Sequence, residues 1–131
     1  MTLADDEFLA RFEDCSLDDA VFKHTGHVRM AFLYLQRHDT ETALTRICKG
    51  IQRFGASRGA PEKYHATVTI AFARIIAKRL QPDQGFDDFV AANPDLMSPR
   101  PLLLDYYSEA LLYSDEARLR FVAPDRRPLP T

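Results

Sequence analysis

Apolar residues recur along this chain at spacings of three and four, and no stretch sustains the every-other-residue alternation of a half-buried strand. The pattern predicts helix after helix. Phe8, Leu9 and Phe12 stripe a short first helix behind Thr2 and Asp5, which have the spacing of an N-terminal cap, and Ser16 with Asp19 repeats that signal before Ala20, Val21 and Phe22. Gly26 is expected to interrupt, with Thr25 capping a new helix that runs to about Arg37. The next helix opens at Asp39 or Thr40, puts Ala43, Leu44, Ile47, Cys48, Ile51 and Phe54 on one face, and stops at Gly55. The link "RHDT" is short, so these two helices form an antiparallel hairpin.

After the turn-forming "GASRGA", Pro61 is placed for the first turn of a helix reaching Leu80. Tyr64, His65, Val68, Thr69, Phe72, Ile75 and Ile76 make one apolar arc of it, and Ala66, Ile70, Ala73 and Ala77 a second. Only Lys63, Thr67, Arg74 and Lys78 remain for solvent. A helix apolar on most sides is expected at the centre, with His65 inside the domain. Pro82 and Gly85 break the chain before a short helix with Phe86, Phe89 and Val90. Ser98 and Pro99 start "PRPLLLDYYSEALLY", read as one helix, and Ser114 caps "DEARLRFV". The reading is an all-α fold: a compact single-domain bundle of about six or seven helices, partly orthogonal, over residues 1–123, with the proline-rich tail 124–131 extended over the surface.

Length and composition fit that reading: 131 residues, 46% hydrophobic and 27% charged, are ordinary for one globular domain. A formal charge of -2 argues against general nucleic-acid binding, although a local basic patch is compatible with it. The acidic beginning "MTLADDEFLARFEDC" and the lack of a long apolar run argue for a cytoplasmic protein that is not membrane-bound. Cys15 and Cys48 match no zinc or redox spacing and read as reduced thiols. There is no phosphate loop, nucleophile elbow or HExxH.

Candidate chemistry rests on histidine and tyrosine. His24 and His27 enter the first long helix three residues apart, and His65 would be a third imidazole, enough for an open transition-metal site. No local carboxylate completes such a set, since Asp14, Asp18, Asp19, Glu62 and Asp105 are merely available. The reading preferred for the same histidines is as hydrogen-bonded members of a polar core patch. General-base work by His27, near a helix N-terminus that disfavours its protonation, is a further reading. His38 is expected in solvent. Arg118, Arg120, Arg126 and Arg127 read as a solvated, ion-paired face rather than an anion site, and each buried tyrosine hydroxyl needs a polar partner.

At "KHTGHVRMAFLYL", "KYHATVTIAF" and "YYSEALLYSDEARLRFVAPDRRPLP" the chain resembles an uncharacterised family of small bacterial all-helical proteins. The shared features are the HxxH of His24 and His27, the YHxTxT of Tyr64, His65, Thr67 and Thr69, and the PDxxPLP-like ending. The resemblance implies a shared helical fold and a shared site, with no assigned activity. Where this chain has Ala66, an acidic residue is typical of that family, and a larger aromatic is usual near Phe72. From the two-histidine entry to the first long helix and His65 on the inward arc of the expected central helix, the expectation is a pocket in which Tyr64, His65 and Tyr106 bind a small molecule, or in which His24, His27 and His65 hold a transition metal as cofactor; the resemblance groups the same positions without identifying their purpose. The alternative is a non-catalytic helical interaction or adaptor protein, in its plainest form a homodimer.

Overall fold

A computed structural model describes residues 3–130 and is helical wherever it is regular. Eight α-helices are present among these residues: α1 (Asp5–Glu13), α2 (His24–Arg37), α3 (Thr40–Ser57), α4 (Ala66–Arg79), α5 (Phe86–Ala92), α6 (Pro99–Leu104), α7 (Glu109–Leu112) and α8 (Asp115–Leu119). Two 3-10 turns, Pro61–Lys63 and Pro94–Met97, complete the set. The all-α expectation holds. The chain packs as two compact units, Met1–Tyr64 and His65–Thr131, a division that the run of helical periodicity does not mark.

In the first unit α3 is the element on which α1, α2 and the Pro61–Lys63 turn all pack. The Asp39 side chain accepts from the Thr42 amide and caps α3, as its position predicts. The helix then passes Gly55 and ends later: the Ala60 and Gly59 amides donate to the Gly55 and Ala56 carbonyls, with Gly59 left-handed at φ 71°. Gly55 therefore lies inside the helix. Gly26 likewise falls within α2, packed close to the Val21 carbonyl, and the expected helix at Ala20–Phe22 is a turn. Thr25 does not cap α2, whose N-cap is Lys23, and the proposed Thr2 cap lies outside the described residues.

The centre of this unit is aromatic. Phe12 is fully buried, with Phe22, Phe54 and Tyr34 ring centroids at 5.0, 6.0 and 6.4 Å. It reaches α3 because Gly50 has no side chain: a β-carbon there would stand 2.4 Å from the ring. Around that core Arg58 donates to the Cys15 and Leu17 carbonyls and to Asp19, and its guanidinium lies over the Phe54 ring. One side chain thus fixes the link that follows α1. Cys15 in that link is itself left-handed (φ 65°) and takes the place glycine holds at the end of α3.

In the second unit α4 packs against α6 and α8 and buries Ala71, Phe72, Ala73, Ile75 and Ile76. It begins at Ala66, not Pro61, so Tyr64 and His65 precede the helix instead of riding on its arc. Thr67, expected in solvent, is fully buried: its hydroxyl donates to the Arg120 carbonyl and accepts from the Val122 amide. The segment read as one helix after Ser98 is two, α6 and α7. Ser108 separates them, capping α7 through the Leu111 amide while donating to Asp125. The tail is extended, and it is tied down: Asp125 also accepts from the Ser108 amide, the Arg126 amide donates to the Tyr106 carbonyl, and Tyr107 donates to the Val122 carbonyl.

Gly50→Ala separates packing from propensity. An exposed helical glycine gains about 1 kcal/mol on becoming alanine, whereas forcing a methyl group against a buried ring costs about 1–3 kcal/mol. Packing should win. Chemical denaturation is expected to show net destabilisation, and a stabilised variant would mean that Phe12 does not depend on the gap.

Candidate functional site

His65 has a defined task at the start of α4. Its Nδ1 accepts from the Val68 amide at 3.1 Å, which requires that nitrogen to be unprotonated, so Nε2 carries the proton and donates to the Leu112 carbonyl at 2.8 Å. Both ring nitrogens are thereby committed. It is a partly buried helix cap rather than an inward-facing side chain of α4. Among the described residues, no group of three or more His, Cys, Asp or Glu side chains is arranged to hold a metal ion. Tyr106, also in the second unit, is buried beneath the Arg127 guanidinium, whose carbon lies 4.7 Å from the ring centre.

His24 and His27 both stand in the first turn of α2. His27 is partly buried, its ring stacked on Phe22 with centroids 4.0 Å apart. Burial first, then His24, lowers its pKa from 6.5 to about 4. At neutral pH it is an uncharged donor and acceptor. A base this weak is poorly matched to general-base catalysis near pH 7.

His27 opens onto a hollow of about 420 Å³ in the first unit, and Tyr64 lines the same hollow. Two of the residues singled out in the sequence are thus brought together, although not with the partners expected for them. Phe22, Phe54 and Ile51 supply its apolar wall, and Lys23, Lys63 and Arg58 its cations. The single carboxylate, Asp19, is bound by Arg58 at 2.6 Å. The Tyr64 hydroxyl pairs with the Cys48 thiol, and burial pushes the pKa of each upward. Both cysteines are free. Lys63 is expected only in solvent, and Lys23 and Arg58 carry no site signal of their own, yet Ile51, Phe54, Gly55 and Arg58 recur at the three- and four-residue spacing of one helix face.

Other expectations resolve simply. His38 is partly buried, its ring centre 6.2 Å from that of Tyr34, rather than in open solvent. Arg120 pairs with Glu116, as a solvated basic face predicts. No helix among the described residues is long and apolar enough to cross a membrane. Comparison with protein-family models, curated proteins and solved structures finds no match.

The lowered pKa of His27 has a testable sign. Between pH 6.5 and about 4 the unfolded imidazole is protonated while the folded one is not. Stability from this residue is complete above the upper value and falls as the pH drops toward the lower. Unfolding free energies from urea titrations at about pH 7 and about pH 5 should differ by about 2 kcal/mol in the wild type. His27→Phe, which keeps a ring on Phe22, should lose that part of the difference. The lowered carboxylates, Asp39 and Asp14 among them, have reference values of 3.8 and contribute little in this window. An equal drop in both proteins would refute the assignment.

Proposed function

We propose that this protein is a small-ligand binder, and that the hollow lined by His27 and Tyr64 takes a small carboxylate with a flat, apolar body. The observation that carries the reading is the division of the lining. Aromatic rings stand behind the ligand, Lys23 and Lys63 are cationic, and the one carboxylate is neutralised by Arg58. An anion with an aromatic body satisfies both parts. The volume lies in the range of sites for small molecules, roughly 300–1,000 Å³. Neutral His27 can orient the ligand by one hydrogen bond without adding charge. The resemblance groups His24, His27, Tyr64 and His65, and two of these, His27 and Tyr64, line this hollow.

Benzoate is a suitable probe, with benzamide as its uncharged counterpart. Isothermal titration is expected to show saturable binding of benzoate and roughly tenfold weaker binding of benzamide, the worth of about one charge-assisted hydrogen bond. Lys63→Gln should weaken benzoate alone. Affinity should stay level from about pH 8 to about pH 5.5, because His27 remains neutral throughout. Equal affinity for acid and amide, or no saturation with either, would overturn the reading.

A further inference from the structure

A second recess in the first unit, about 630 Å³, shares no lining residue with the first. One wall is a stripe of α3: Thr42, Thr45, Arg46, Lys49 and Arg53, at offsets of three, four, seven and eleven from the first. Those offsets fall on a single helical face. Its three cations extend over about 10 Å of helix at 1.5 Å per residue. Opposite stand Glu13, the last residue of α1, and Tyr34 of α2.

The charges here are handled differently from those nearby. Arg11, Arg29, Arg37 and Arg58 of the same unit each pair with a carboxylate. The ion pairs among the described residues do not involve Arg46, Lys49 or Arg53, although like charges three and four apart on a helix repel by about 0.2–0.5 kcal/mol per pair. Glu13, the one acid of the recess, already accepts a hydrogen bond from the buried Tyr34 phenol at 2.5 Å. Arg46 and Arg53 lie close enough to that phenol to act on it electrostatically. The hydroxyl protons of Thr42 and Thr45 are spent on the Asp39 carboxylate and the Glu41 carbonyl. The donors left for a visitor are therefore cationic, and they outnumber the acid three to one.

We infer that this recess binds a compact polyphosphate group, supplied either by free diphosphate or by a small molecule that carries one. Phosphate suits the donor set because two arginine forks can each grip two oxygens while the intervening lysine acts as a point charge. A lone carboxylate would use one fork and leave the repulsion of the others in place. The recess is concave and short, which favours a small molecule over a nucleic-acid strand.

The test is titration of the full chain with inorganic diphosphate, with adenosine diphosphate as the organic source, at about 50 mM and about 200 mM salt. The expected result is saturable one-to-one binding that weakens with salt. Arg46→Gln should reduce it roughly tenfold, and Arg53→Gln similarly. Arg100→Gln, which removes one positive charge from the second unit, should leave it unchanged. Circular dichroism of each variant confirms the fold, and the exposed Lys49→Gln replaces any variant that misfolds. Stronger binding of adenosine diphosphate identifies an organic ligand, and preference for diphosphate a free anion; either supports the site. No saturation at the lower salt, or equal losses in Arg46→Gln and Arg100→Gln, would overturn it. So would an oligonucleotide whose affinity exceeds that of diphosphate and climbs with its length. Benzoate binding to the other hollow is read separately, so the two proposals can fail independently.

Discussion

The contact between Phe12 and the bare backbone of Gly50 is the constraint on which the first unit depends. A buried ring occupies the volume that any side chain at Gly50 would need, so α1 and α3 approach as closely as they do only with glycine there. Phe22 and Phe54 then rest against Phe12 and become the aromatic wall of one hollow, while Tyr34, packed near the same ring, reaches Glu13 at the floor of the other recess. Both candidate sites are built outward from one aromatic nucleus. A fault there would reach each of them without touching a single charged residue.

Polarity is distributed around that nucleus with little waste. Arg58 satisfies two carbonyls and a carboxylate while its flat face covers Phe54, so a residue that lines the first hollow also secures the link after α1. His27 is held neutral by its surroundings, and neutrality lets an imidazole lie against Phe22 without the desolvation penalty of an imidazolium. The second unit solves a similar problem with hydroxyls: Thr67, Ser108 and Tyr107 each meet a backbone partner that the helices alone leave open.

Periodicity made the helices legible because burial of a stripe is a local property of sequence. The hairpin of α2 and α3, the Asp39 cap, the Ser114 cap and the short helix at Phe86 all follow from it. What was hidden depended on partners distant in the chain. Thr67 falls on the polar side of α4 by any count, and only the returning segment at Arg120 to Val122 explains its burial. Tyr64 and His65 continue the apolar arc of α4 on a helical wheel, but the cap formed by His65 ends the helix before either is included. For the sites, the histidines drew attention as a residue type, whereas the lysines and arginines that supply the charge look like ordinary surface residues until the fold gathers them. Gly50 is similar: a glycine within a helix announces a cost but not the ring that accounts for it.

The docking of Thr67 has a consequence for the order in which the protein is made. Its hydroxyl is satisfied by residues 53 and 55 positions further along the chain. At synthesis rates of about 5–20 residues per second, α4 emerges roughly 3–10 s before its partners exist. The first unit contains its own contacts by Tyr64 and can close during that interval. The second cannot complete this contact until Arg120 and Val122 have followed, so its closure is tied to the last part of the described chain.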